Sequence, residues 1–239
     1  MVAEAGIQPE DEVLEIGPGP GALTDQLAGR ARRLVAVELD SRLAGRLRRR
    51  YAGRSDVEVV EGDILRTDLA RLFPNGGEVV VGNIPYYLTG ALLPKLLDQA
   101  PRPKRISLVV QREVAERWTA STGAGTGAVA VQLYTEPRLA LRLPAAAFDP
   151  VPQVDSALVV MEVRPQPALE LDDPRAFFAF VERVFQFRRK QLAGSLPRVT
   201  GLPAAEVAER LESLGIDPRR RPETLLIPEW GALYRQIRE

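Results

Sequence analysis

Glu12-Val13-Leu14-Glu15-Ile16-Gly17-Pro18-Gly19-Pro20-Gly21-Ala22-Leu23-Thr24 decides the fold of this chain. Residues 12–16 read as a buried strand, the glycine run as a tight turn, and Ala22 onward as the start of a helix. Glycines at a strand-to-helix turn let the backbone approach a ligand closely, and the helix start offers free N–H groups. On this segment alone Gly17-x-Gly19-x-x-Ala22 also fits the looser dinucleotide fingerprint, which keeps a nicotinamide-dependent oxidoreductase open.

The segments that follow narrow the choice. Leu34–Val37 is a second strand that ends at Glu38, whose carboxylate stands where it can take both hydroxyls of a ribose. Val57–Val60 is a third, followed by Glu61-Gly62-Asp63-Ile64, where Asp63 can accept a hydrogen bond from an adenine amine. Either acid alone also reads as a solvated strand-end charge. Together, on successive strand ends, they suit an adenosine.

A fourth strand, Val79-Val80-Val81-Gly82, runs into Asn83-Ile84-Pro85-Tyr86-Tyr87. The Asn83 side-chain oxygen can accept a hydrogen bond from an exocyclic amine. Pro85 turns the chain so that the carbonyl of Ile84 accepts a second, and the Tyr86 ring stacks on the base. Two acceptors on an aniline-like nitrogen draw its lone pair out of conjugation and make it nucleophilic without full deprotonation. An Asn-x-Pro at a strand end is also an ordinary turn, so the upstream nucleoside pattern carries the functional reading. It also disfavours the oxidoreductase, which leaves Asn83–Tyr86 without a task.

Strands and helices alternate through residue 110, with helices at about 22–29, 41–52 and 89–98 and a strand at Ile106–Val110. That alternation predicts an α/β fold with a parallel sheet, right-handed crossovers and ligands at the carboxyl ends of the strands. Gln111–Ala120 reads as a helix, 121–127 as a loop, and 128–134 as another short helix. Arg138–Leu143 and Ala157–Val163 bracket a proline-rich turn and predict an antiparallel hairpin that closes the sheet. A boundary falls within Arg164–Pro174. Beyond it Phe177, Phe180, Val181, Val184 and Phe185 recur at helical spacing as core, with further helices near 203–213 and 229–237. The expected organisation is a catalytic domain over 1–166 and a small all-α domain over 167–239.

Composition excludes several chemistries. The 239 residues contain no cysteine and no histidine. There is thus no thiolate nucleophile, disulfide or thiolate metal site, and no histidine base or zinc–histidine centre. Chemistry at an exocyclic amine requires none of these, and no metal is expected. No apolar run approaches the roughly 18–20 residues needed to span a bilayer, and no leader is evident, so a cytoplasmic, monomeric protein without a membrane partner is expected. Net charge is zero, with 32 basic and 32 acidic residues. The basic ones cluster over 30–54, over 102–117 (Arg102, Lys104, Arg105, Arg112, Arg117) and over 183–198, which lacks acids and contains Arg188, Arg189 and Lys190. Such faces can hold a phosphate backbone while the whole molecule stays neutral. The predominance of arginine over lysine equally fits a GC-rich genome with solvated helix faces.

The stretches Val13–Thr24, Val37–Asp40, Gly62–Leu65, Gly82–Thr89 (GNIPYYLT) and Phe148–Ser156 (FDPVPQVDS) together resemble the ribosomal RNA adenine dimethyltransferases. That group contains the bacterial small-subunit dimethylase and the erythromycin-resistance methylases. Phe187–Leu196 (FRRKQLAGSL) resembles the small-subunit branch. The resemblance implies a Rossmann-like class I methyltransferase sheet, S-adenosyl-L-methionine as cofactor, and small-subunit (16S) rRNA or its assembly precursor as partner, with a role in ribosome biogenesis. It implies donor contacts at Gly17, Gly19, Gly21, Glu38, Leu39, Asp63, Ile64 and Asn83. The catalytic group becomes Asn83, Ile84, Pro85 and Tyr86 with Phe148, which faces Tyr86 in the family, so that the two rings sandwich a flipped adenine. RNA contacts are implied at Arg188, Arg189, Lys190 and Arg112. Family members also carry an earlier Gly-Gln-(Asn/His)-Phe-Leu motif that closes over the donor. Here Met1–Gly6 opens at what reads as the tail of the helix before the first strand. Two alternatives stay open: a resistance-type methylase of large-subunit (23S) rRNA, and a non-catalytic ribosome-assembly factor of the same fold.

Overall fold

The structure is a computed structural model that describes residues 1–85, 88–97 and 101–238. The chain folds as two compact units, residues 1–115 with 136–163, and residues 116–135 with 164–239.

The first unit is built on strands β1 (Glu12–Ile16), β2 (Arg33–Glu38), β3 (Val57–Glu61), β4 (Val79–Asn83), β5 (Arg105–Gln111), β6 (Thr135–Leu143) and β7 (Ser156–Val163). They form one seven-stranded sheet in the order β3-β2-β1-β4-β5-β7-β6. All pairings from β3 to β5 are parallel, whereas β5 and β7 run antiparallel, Arg105 opposite Glu162 and Gln111 opposite Ser156. Central strands covered on both faces must be apolar on both, and Val13, Leu14, Val35, Ala36, Val79, Val80, Ile106 and Leu108 are all fully buried. Strand β3, at the edge, keeps exposed glutamates at 58 and 61.

Helix α1 (Val2–Ala5) precedes β1, and the crossovers carry helices α2 (Ala22–Leu27), α3 (Ser41–Arg50), α4 (Leu69–Leu72) and α5 (Thr89–Leu97). Asp40 caps α3 by accepting from the N–H groups of Arg42 (2.8 Å) and Leu43 (3.2 Å). The order of the strands reverses between β1 and β4. Crossovers from β1 lead to one side and the chain returns to β4 on the other, which opens a crevice at the carboxyl ends.

After β5 come α6 (Arg112–Thr119) and α7 (Thr126–Tyr134), then β6, β7, and the helices α8 (Pro174–Phe185), α9 (Leu192–Thr200), α10 (Ala204–Ser213) and α11 (Ile227–Arg238). Helix α9 falls in a segment that the sequence pattern left unassigned, because Gly194 and Pro197 interrupt its periodicity. In the second unit Phe177, Phe180, Val181, Val184 and Trp230 are buried. Their rings pack edge to face, Phe177 on Tyr234 at 5.3 Å and Phe180 on Trp230 at 6.3 Å.

The chain enters the second unit at residue 116, returns at 136 and leaves again at 164, where the sequence reading has a single boundary near 166. The early excursion follows from α7, whose residues Ala128–Tyr134 are all buried. It packs against α8 and α11. The Gln132 side-chain amide donates to the carbonyls of Ala120 (2.8 Å) and Thr122 (2.9 Å), and the N–H of Gly123 donates to Leu225 (2.7 Å). A side chain at Gly123 would lie 2.9 Å from the Trp230 ring nitrogen, so only glycine admits that approach.

Candidate active site

Ile16, Glu38, Glu61 and Asn83 are the last residues of four neighbouring parallel strands, so their main chains finish on one rim of the sheet. A cavity of ≈ 550 Å³ opens over this rim, lined in part by Gly17, Glu38, Leu39, Asp63, Ile64 and Pro85. Its size lies within the roughly 300–1,000 Å³ typical of small-molecule sites. Ile64 is buried, while Leu39 is 67 % exposed, an apolar side chain left open at the cavity wall.

The three glycines have different tasks. Gly17 (φ 64°) and Gly19 (φ 57°) adopt the left-handed conformation, and a side chain at either would meet nothing within 4 Å. Backbone conformation therefore requires them, and the space beside them is open. Of the three, only Gly17 lines the large cavity. Gly19 donates its N–H to Glu38 Oε2 at 2.9 Å, and Gly21 precedes α2 as its N-cap.

Glu38 is 7 % exposed and does more than the sequence suggests. Oε2 takes the Gly19 N–H while Oε1 takes the Asp40 N–H at 2.9 Å, so one carboxylate ties the glycine turn to the β2–α3 turn. Each oxygen keeps a further lone pair for a ligand. Asp63 holds its own turn, with Oδ1 accepting from the Leu65 N–H at 2.9 Å and Oδ2 3.8 Å from the Arg66 guanidinium. We expect Glu38→Ala, which frees two backbone N–H groups and removes the charge, to weaken binding of the donor that the sequence resemblance implies by about 10- to 100-fold, since a single charge-assisted bond contributes roughly 1.5–3 kcal/mol. Isothermal titration of donor checks this, and an affinity within twofold of wild type would refute it.

Asn83 is exposed, and its side chain has no partner among the described residues. Next to it, Gly82 packs so tightly that a side chain there would sit 3.0 Å from Ile84 Cγ2 and 3.1 Å from the Ile16 carbonyl. Ile84 is buried, which anchors the Asn-Ile-Pro segment, and Pro85 lies on the cavity wall. Tyr86 lies outside the described residues. Phe148 packs against the cluster of Val109, Leu158 and Val160 yet stays partly exposed. Val109 is the strand partner of Asn83, so Phe148 stands on the strand next to the asparagine.

The sequence missed Glu15. It is 1 % exposed, on β1 two residues before the glycine turn, and neither carboxylate oxygen has a hydrogen-bond partner. Burial pushes its pKa from 4.5 up to about 7. The Thr24 hydroxyl and N–H, near the carboxylate but outside hydrogen-bonding geometry, offset this only in part, and Asp25 and Glu38 add repulsion. An acid within a strand that must be covered on both faces was the available signal.

The basic candidates separate. Arg188, Arg189 and Lys190 are exposed, and their side chains have no partner among the described residues. Arg112 instead pairs with Asp155 at 3.0 Å, which binds the start of α6 to the proline-rich turn. Among the described residues no group of three or more acidic side chains is arranged to hold a metal ion, and no helix is long and apolar enough to cross a membrane.

The sheet order, the antiparallel β7 and the cavity over β1–β4 define a class I methyltransferase. The solved 23S rRNA methyltransferase ErmE matches with a TM-score of 0.76 and 30% identity, over 99% of this chain and 95% of its own. A dimethyladenosine transferase from Plasmodium falciparum matches with a TM-score of 0.81 and 25% identity, over 99% and 93%. The model of the ribosomal RNA adenine dimethylase family matches residues 1–225, and the chain belongs to that family. A ribosomal RNA small subunit methyltransferase A from Pelotomaculum thermopropionicum is 42% identical over 248 residues, which cover 98% of this chain and 84% of that protein. Its counterpart from Moorella thermoacetica is 39% identical, over 98% and 85%.

Proposed function

We propose that this protein transfers methyl groups from S-adenosyl-L-methionine to the 6-amino group of adenines in small-subunit rRNA, in the cytoplasm, yielding dimethyladenosine. The observation that carries the reading is Asn83: an exposed, unpartnered carboxamide on the same rim as a nucleoside-sized cavity. The family and its small-subunit relatives support the substrate.

The residues present fit the donor. Open space beside Gly17 and Gly19 admits a close ligand, Glu38 keeps lone pairs for ribose hydroxyls, and Asp63 Oδ2 is the freer acceptor for an adenine amine. Leu39 and Ile64 give that base apolar walls. Bound there, the donor supplies an electrophilic sulfonium methyl. Asn83 Oδ1 and the Ile84 carbonyl accept the two N–H bonds of the target amine, which localises its lone pair on nitrogen. Once the nitrogen is cationic its proton can leave to solvent, so no buried base is needed. Phe148 and Tyr86 would stack on the extruded adenine, an interaction worth roughly 1–3 kcal/mol per base. In this reading residues 1–166 carry the chemistry, and 167–239 present Arg188, Arg189 and Lys190 to the rRNA phosphates.

Labelled donor incubated with purified, unmodified small and large subunits tests the proposal. We expect dimethyladenosine in small-subunit rRNA alone. The likeness to ErmE supplies the second reading, and label confined to the large subunit would establish it. Donor binding without label in either would favour a non-catalytic assembly role.

A further inference from the structure

A second cavity, ≈ 350 Å³, lies past the end of β5 and has no task in the reaction so far described. Gln111, Arg112, Gln153, Val154 and Asp155 form much of its wall. Its frame is fixed by Asp155. The carboxylate accepts from Arg112 Nη1 and from the Ala145 N–H, each at 3.0 Å, and its carbonyl accepts from the Arg112 N–H at 3.0 Å. The charged groups are thereby engaged with one another. By contrast the carboxamides of Gln111 and Gln153 have no partner among the described residues.

Position gives this cavity meaning. Val109 is opposite Asn83, and Gln111 is two residues further along β5. With standard strand spacing and rise, the two main-chain positions are separated by about 8 Å. The donor cavity extends from the ends of β1, β2 and β3 to Pro85 and Leu88 beyond β4, whereas β5 lies on the opposite side of β4. A polynucleotide that delivers one base to Asn83 and approaches away from the donor must therefore pass over β5 and the 144–155 turn.

The chemistry of the wall selects the ligand. A phosphate is disfavoured, because Glu113 and Asp155 are negative and the Arg112 charge is already paired. A carboxamide offers one acceptor and one donor side by side, which matches the edge of a nucleobase. Val154 (44 % exposed) lines the cavity and Val151 (67 %) is exposed in the same turn, two of only four large apolar side chains so exposed among the described residues. Leu39, at the donor cavity, is another.

We propose that this cavity binds the nucleobase adjacent to the target adenine, and that Gln111 and Gln153 read its edge. The inference rests on the proposed RNA substrate and extends it to a sequence-selecting site. Bidentate base contacts discriminate by roughly 5- to 150-fold.

Single-stranded RNA pentamers with a central adenine and each possible neighbour test it in two ways. In binding competition, wild type should prefer one neighbour by about 10-fold or more, and Gln111→Ala/Gln153→Ala should reduce the preference to within about threefold. Donor affinity, read on the same samples, should stay within twofold and so verify the fold. The single Gln153→Ala change, at an exposed turn position, should give part of the loss. In the methylation assay on small-subunit rRNA substituted at the neighbour, kcat/KM should follow the same pattern. A wild type without neighbour preference, or a double variant that keeps it, overturns the inference. If wild type leaves small-subunit rRNA unmodified, the proposed reaction fails, whereas the binding competition still decides the cavity.

Discussion

Asn83→Ala should lower methyl transfer by about 10²- to 10³-fold, the usual cost of removing one preorganised polar group from a reacting centre. Donor affinity should stay within about tenfold of wild type, because the loss concerns an interaction that strengthens as the amine becomes nucleophilic. The structure favours this separation. Asn83 ends β4 with its side chain exposed, while the buried Ile84 and the tight Gly82–Ile16 approach hold the backbone in place without it. Single-turnover transfer at saturating donor, beside calorimetric donor titration, reads both quantities. Wild-type turnover in the variant would remove Asn83 from the mechanism. A collapse of donor affinity with unchanged transfer at saturation would make it a donor ligand instead.

Glu15→Gln is expected to change how stability depends on pH. The carboxyl of Glu15 has a folded-state pKa raised to about 7 from 4.5, chiefly by burial. The folded protein therefore holds this proton more tightly than the unfolded chain does. Its contribution is fully present below about pH 4.5 and is lost as pH rises through about 7. At 1.36 kcal/mol per unit, the whole swing is about 3 kcal/mol. Glutamine keeps the shape and cannot ionise, so the variant should lack this decline. Unfolding free energies from urea titrations at pH 5 and pH 8 check it, with the wild-type drop exceeding that of the variant by roughly 2–3 kcal/mol. Equal drops in both proteins would mean that Glu15 is solvated or paired. Glu78, also buried with a raised pKa, acts in the same direction in both proteins and cancels in the comparison.

Much of the rim was legible in the sequence because the central parallel strands, covered on both faces, are largely apolar runs, and each is followed within two residues by a glycine or a polar residue. Gly17, Glu38, Asp63 and Asn83 could thus be assigned to strand ends from their neighbours alone. What remained hidden depends on long-range contacts. Nothing around Glu38 indicates that it accepts from Gly19, nineteen residues earlier. Nor does anything near Arg112 announce Asp155, forty-three residues away, as its partner. Arg112 read as one cation in a basic run, and the fold makes it a brace. Helix α9 escaped notice because glycine and proline interrupt its pattern, and its burial is supplied by tertiary contacts.

The double passage of the chain through the second unit bears on how such a protein can be cut or recombined. A gene shortened after Val163 would still encode 116–135, including the buried residues of α7, but without α8 and α11, against which that helix packs. Such a product would present sticky apolar surface to the cell and invite aggregation or proteolysis. The carboxyl-terminal helices are thus no detachable accessory. Grafting them onto another enzyme, or deleting them, requires that the 116–135 excursion travel with them.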